Sequence, residues 1–170
     1  NVAVSGLRVT GAILVYSNNV TVQNCEVNAS GEIWGIRQMP GGSGLVGRTW
    51  ATRRGIQIDR IASAWLIRRF IDPRARFRFI DPSEERHPKE LRFDMPGGDF
   101  SHEGDRCTFE TLVRRTGLSD KGLSEVAEIV HDIDIKDGKF GRPEARGVEQ
   151  LVLGVLADNP TDRERLERGV

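Results

Sequence analysis

DRIASAWLIRRFIDP, residues 59–73, is the stretch on which the fold of this chain turns. Apolar residues recur at Ile58, Ile61, Ala62, Trp65, Leu66 and Phe70, the three-and-four spacing of one helix face. Asp59 stands where an N-cap belongs, and Pro73 ends the pattern. The reading is a core helix, with Trp65 inside it and a basic edge of Arg60, Arg68 and Arg69. Downstream, FRFID at 77–81 alternates like a short strand, and a loop rich in Pro, Glu, His and Lys runs to Glu90. LRFDM at 91–95 is a second short strand, stopped by Pro96, Gly97 and Gly98. Thr108 or Asp105 opens a helix through Arg115, with Gly117 as its C′ residue. LSEVAEIVHDIDIK at 123–136 and VEQLVLGVLAD at 148–158 read as two more helices. TDRE at 161–164 is the capping box of a last helix that the chain end cuts short. The class expected for residues 49–170 is therefore α+β, mainly α with short strands.

Upstream the composition changes. Up to Arg48 the chain carries only five charged residues, Arg8, Glu26, Glu32, Arg37 and Arg48. NVAVSGLRV at 1–9 aligns with NVTVQNCEV at 19–27, so that Val2 matches Val20, Val4 matches Val22, Leu7 matches Cys25 and Val9 matches Val27. Short alternating β-branched runs broken by Asn and Gly at a fixed period are the pattern of stacked parallel strands. The segment 1–39 resembles about two coils of a right-handed β-helix of the pectate-lyase kind. A plain β-hairpin arm is the alternative. In either reading Cys25 is a small apolar packing residue. PGGSGLVG, within residues 40–48, is a flexible connector, so a β-solenoid-like fragment, a Gly/Ser linker and a helical domain are expected in that order.

Several function classes are set aside by composition. The 25 Lys and Arg balance 25 Asp and Glu, so no net field draws the chain to nucleic acid or to a membrane surface, and any partner is recognised locally. No apolar run approaches the roughly 18 residues of a membrane span. Two cysteines without a disulfide framework point to a reducing compartment, hence to the cytoplasm. The chain begins at Asn1 rather than methionine, so a natural start ahead of it is expected.

The third helix carries the clearest chemical anomaly. At about 100° per residue, Leu123, Val126, Ala127, Val130 and Ile133 form one apolar face, and Asp134 falls about 40° from its centre. His131 lies on the border of that face, and Asp132 points to solvent. A carboxylate turned toward a core needs a cationic or hydrogen-bonding partner. The candidates are the arginine edge that includes Arg60, His131 itself, or a cation shared with HEGDRCTFE at 102–110. That stretch joins imidazole, thiol and carboxylate donors, the ligand types of zinc and other divalent transition metals. The candidate ligands are His102, Glu103, Cys107, Glu110, His131 and Asp134. A structural hydrogen-bonded network and a helix cap explain the same residues without a ligand. A thiol at a helix N-terminus would be activated, and that terminus attracts anions, with Arg60, Arg106 and Lys136 as the cations that would hold an oxyanion. His87, in its polar loop, is a surface residue.

Three motifs then carry a resemblance. TRRGIQIDRIASAWLIRRFIDP at 52–73, FSHEGDRCTFE at 100–110 and AEIVHDIDIKDGKFGR at 127–142 are together similar to the C-terminal domain of the chromate-resistance protein B (ChrB) family, over about 49–168. The resemblance implies a sensing or accessory role in chromate resistance, with chromate, a tetrahedral dianion and thiol oxidant, as an expected ligand. The family's usual N-terminal half, linked to DNA binding and regulation, is replaced here by the β-rich piece, which argues against direct transcriptional control by this chain. Two functions stay open: a domain binding a metal ion or oxyanion, and an enzyme using metal-bound water or Cys107 in a redox or hydrolytic step. The absence of a nucleophile beside a base, of a phosphate-cradling loop and of a cofactor fingerprint favours binding.

Overall fold

The computed structural model describes residues 44–170 continuously and, ahead of them, six backbone strands: Val2–Ser5 (β1), Arg8–Thr10 (β2), Ile13–Val15 (β3), Val20–Gln23 (β4), Glu26–Asn28 (β5) and Ile36–Gln38 (β6). The backbone falls into two units, Asn1–Val46 and Gly47–Val170. In the first, β1 pairs with β4 and β2 with β5, both parallel, with Val2 opposite Val20 and Val9 opposite Val27. These are the positions that the sequence repeat aligns. The third pair, β3 with β6, sets Ile13 opposite Ile36, so the spacing lengthens there. Parallel pairing excludes the plain hairpin, whose strands run antiparallel. The turns that a solenoid coil would need, and Cys25, lie outside the described residues.

The second unit is built on a three-stranded parallel sheet in the order β8, β7, β9, formed by Thr49–Arg53 (β7), Arg76–Ile80 (β8) and Glu90–Arg92 (β9). Its outer strands are the two that the alternating runs indicate, with the second ending at Arg92 instead of Met95. Its central strand is a finding of the structure. Trp50, Ala51 and Thr52 are all fully buried, so β7 is covered on both faces and has no polar side to produce an alternating pattern. One face gathers Trp50, Phe93 and Phe100, with ring centroids 6.4 and 5.6 Å from Trp50; Ala51, Ile80 and Met95 form a separate buried cluster.

Between β7 and β8 runs the helix of DRIASAWLIRRFIDP. It spans Ile58–Leu66 (α1) and continues as one π-helical turn over Ile67–Ile71, closed by Asp72 N–H donating to the Ile67 carbonyl at 2.6 Å. The N-cap is Gln57, which makes no side-chain capping bond. Asp59 is therefore not the N-cap that the sequence suggests but a buried residue of the first turn. The wider π turn delivers Asp72 under the start of β7. There its carboxylate accepts from the N–H groups of Gly47 (2.8 Å), Arg48 (2.9 Å) and Arg74 (3.0 Å) and from Trp50 Nε1 (3.0 Å). Gly47 and Arg48, inside the expected connector, thus belong to the folded unit.

Four more helices complete it: Thr108–Arg115 (α2), Lys121–Asp134 (α3), Ala145–Asp158 (α4) and Asp162–Gly169 (α5). Gly117, with φ of +66°, supplies the left-handed C′ residue after α2. Asp120 caps α3 by accepting from Leu123 N–H. Thr161 and Glu164 form the expected capping box of α5. Asp162 also accepts from the N–H groups of Gly55 and Ile56, tying the last helix to the loop ahead of α1. Helix α1 packs on α2, α3 and α5, and α3 on α4. No helix among the described residues is long and apolar enough to cross a membrane.

Asp72 gives the first test. Its four donors are held in place by the fold, and truncating the acceptor strands them in a dry site. Asp72→Ala should lower the unfolding free energy by about 3 kcal/mol or more, read from the urea midpoint, whereas Asp158→Ala on exposed α4 should leave the midpoint unchanged. Equal midpoints for the two variants would remove Asp72 from its structural role.

Candidate metal centre

Four elements of the second unit converge on one polar point. Helix α1 brings Asp59 and Arg60, the residues after β9 bring Asp94, the loop before α2 brings His102, and the last residue of α3 brings Asp134. His102 Nε2 lies 3.4 Å from Asp59 Oδ2, 3.2 Å from Asp134 Oδ2 and 3.7 Å from Asp94 Oδ1. One donor atom from each of Asp59, His102 and Asp134 can be chosen so that all lie within 4.8 Å of one another.

Each side chain has a local reason for its position. Asp59 sits four residues before Ser63 and seven before Leu66, so it shares their buried face. Its carboxylate reaches across to the start of α2, accepting from Thr108 N–H (2.8 Å) and Phe109 N–H (3.0 Å), and from Ser63 Oγ (3.2 Å). Asp59 therefore caps a helix other than its own. Asp94 adopts a left-handed φ of +46°, is buried, and accepts from Thr108 Oγ1 at 3.1 Å. Arg60 donates through Nε to Asp94 at 2.6 Å and through Nη1 to the carbonyls of Gly55 and Arg54.

The charges set the chemistry. Three carboxylates face one guanidinium, which leaves a surplus of negative charge whether or not His102 carries a proton. The hydrogen bond that His102 donates to Asp59 is the main influence raising its pKa; burial opposes it, and the charges of Asp59, Asp134 and Asp94 add to it. Burial raises the carboxyl of Asp134, and the neighbouring Asp59 charge pushes the same way. Nε2 of His102 stands about as far from two carboxylate oxygens as neighbouring ligands stand around a first-row ion, roughly 3 Å for bonds of about 2.1 Å.

The six expected ligands do not form one site. His102 and Asp134 join Asp59, which the sequence suggests as an N-cap. Glu110 and His131 form a second group: His131 is fully buried, with Nδ1 2.7 Å from Glu110 and Nε2 3.2 Å from Asp137. Glu110 also accepts from Cys107 N–H at 2.8 Å, and the His131 ring meets Phe140 edge-on. Both imidazole nitrogens are thus engaged in fastening α3 to α2 and to the loop after α3. Glu103 turns the other way, toward Arg115 and Arg114.

Cys107 corrects the expectation of an activated thiol. It is the N-cap of α2, but it is fully buried, and desolvation followed by the Asp59 charge drives its pKa far above the usual thiol range. The helix terminus that should stabilise a thiolate is already taken by the carboxylates of Asp59 and Glu110. Two of the expected oxyanion cations already have carboxylate partners. Arg60 is buried and paired with Asp94, Lys136 is exposed and paired with Glu149 at 2.9 Å, and the Arg106 backbone exchanges hydrogen bonds with Glu103. Asp132, expected to be solvated, accepts from the N–H groups of Phe140 and Arg142 at 3.1 and 2.6 Å and so shapes the loop between α3 and α4. His87 is exposed, as expected.

Asp94, like Asp59, is a site residue that the sequence does not single out as one. Its signal was a carboxylate between Phe93 and Met95, in an apolar run immediately after a strand.

Comparison with known proteins places this unit in a family. Over 117 residues, 68% of this chain, it is 42% identical to Protein ChrB of Cupriavidus metallidurans. The aligned region spans 36% of that protein, so the chain covers about a third of its relative's length. No solved structure matches the chain. Residues 50–170 match the family described as ChrB, C-terminal domain, and with that match over most of its length the chain belongs to the ChrB C-terminal domain family.

Proposed function

We propose that this domain binds a divalent transition-metal ion through Asp59, His102 and Asp134, and that the bound ion is the means by which it contributes a sensing or accessory function to chromate resistance. The observation that carries the reading is the convergence of one imidazole and two carboxylate donors within 4.8 Å. Two oxygens and one nitrogen suit a first-row ion such as zinc or manganese, and three protein donors leave coordination positions open. The buried Cys107 stays outside the set. Asp94, held by Arg60 and Thr108, orients its neighbours from the side.

The same charges weigh against direct capture of chromate at this point. A dianion entering among Asp59, Asp94 and Asp134 meets like charge, and Arg60 is spent on Asp94 and two carbonyls. Thiol chemistry is disfavoured for a separate reason, because a fully buried, protonated sulfur is neither nucleophile nor ligand.

Equilibrium dialysis against Mn2+ or Zn2+, with elemental analysis, should find one bound ion per chain. His102→Ala should weaken binding at least tenfold, while His87→Ala should not change it. Unaltered binding in His102→Ala would reject this centre.

The pH dependence has a definite sign. His102 has a raised pKa in the folded state, so in metal-free protein its contribution is complete below its ordinary value and is lost as pH rises through the raised one. Asp134, also raised, acts in the same direction at lower pH. A metal ion instead needs the neutral imidazole and binds better as pH rises. The melting temperature gained on adding Mn2+ should therefore widen between pH 5.5 and pH 8; a gain that shrinks over that range would count against His102 as a ligand.

Iodoacetamide followed by peptide mapping tests the thiol. Cys107 should stay unmodified in native protein and react only after unfolding; rapid native labelling would return it to the site.

A further inference from the structure

Beside the metal centre, at the ends of the parallel strands, lies a cavity of about 380 Å³. Its walls include Arg53, Met95, Pro96, Gly97, Asp94 and His102. Arg53 is the last residue of β7, and Asp94 lies two residues beyond the end of the neighbouring strand β9. The crevice past the carboxyl ends of parallel strands is where open α/β sheets bind ligands, and the volume is that of a small-molecule site at the lower end of the range.

The lining is divided in character. At one side His102 presents a half-exposed imidazole, the same ring that reaches Asp59 and Asp134. Met95, Pro96 and Gly97 provide a wall with no charge. Gly97 holds a left-handed φ of +69°, and a Cβ there would meet nothing within 4 Å, so this part of the wall stays open to an incoming group. The turn is kept tight by Gly98, where a Cβ would lie 2.7 Å from Ser101 Oγ and 3.0 Å from two backbone carbonyls. Arg53 is exposed, and among the described residues it forms no ion pair, although carboxylates crowd the adjoining centre.

We infer that this cavity binds a small organic carboxylate, which completes the coordination of the ion at Asp59, His102 and Asp134 and places its negative charge against Arg53. The inference rests on the metal-binding reading above, since the ion offsets the surplus negative charge that would otherwise repel any anion. A planar carboxylate matches the fork of a guanidinium, and the uncharged wall of Met95, Pro96 and Gly97 calls for a carbon body, which a purely inorganic oxyanion lacks.

The test uses the full chain loaded with Mn2+, with pyruvate as probe and paramagnetic broadening of its methyl protons as readout. Pyruvate should be broadened saturably beyond the effect of Mn2+ in buffer, and Arg53→Ala should weaken its apparent affinity at least tenfold while Mn2+ affinity stays within twofold. Arg53→Lys should recover part of the loss. Mn2+ that binds without broadening pyruvate, or broadening that is the same in Arg53→Ala, would overturn the inference and leave the metal site standing. Sulfate that displaces pyruvate as readily as acetate does would overturn the carboxylate class. Failure of Mn2+ to bind at all would overturn both readings.

Discussion

The second unit depends on where the carboxylate of Asp59 goes. A helix leaves its first N–H groups without partners, and α2 begins in the protein interior, where water cannot supply them. Asp59 supplies two acceptors from another helix, to Thr108 and Phe109. That single buried group fixes the approach of α1 to α2, and the helix N-terminus in turn stabilises its negative charge. It also brings a fixed anionic oxygen to the point where His102 and Asp134 arrive. Stability and the candidate site thus rest on the same two oxygens, so substitution of Asp59 is a poor probe of function, and His102, with its half-exposed ring, is the cleaner one.

Most of the helical framework was legible because its signals are local. Apolar spacing gave α1, Gly117 marked the end of α2, and Thr161 with Glu164 announced α5. The central strand β7 was hidden because burial on both faces removes alternation, and its parallel partners are distant in sequence. The 18-residue offset was readable in the N-terminal stretch because Val2 and Val20 repeat, and the parallel register follows it. The lengthened offset between β3 and β6 was not readable, because no matching residues mark it.

The site was legible in part for a different reason. Helix geometry alone turned Asp134 toward the interior, and the motif around His102 supplied donors of the right type. What a linear reading could not do was separate the two clusters. His131 is three residues from Asp134, close enough on a helix to suggest one centre. Yet its ring lies on the side facing Glu110 and Asp137, and both of its nitrogens are used there. A helix dipole activates a thiol only at an empty terminus, and the terminus beside Cys107 is filled. Once Asp59 and Glu110 occupy that terminus, the same dipole has already been neutralised, and dehydration of the thiol decides its state.

The placement of Asp134 is the strongest physical argument that the centre exists for a cation. It is the last residue of α3, at the negative end of the helix dipole, where a carboxylate is disfavoured. Burial and the charge of Asp59 disfavour its ionised form further. A residue kept only for packing at this position would be served by an amide or an apolar side chain, which avoids all three penalties. Among the described residues the carboxylate is compensated by His102, when protonated, and by the charge of Arg60, itself paired with Asp94. A divalent ion, as proposed, would offset all three penalties together, and it would do so with the neutral imidazole favoured above the raised pKa of His102. Under the metal-binding proposal, proton and metal would compete for one ring nitrogen, and the occupancy of that nitrogen would set whether α1 and α3 are joined through an imidazolium or through an ion.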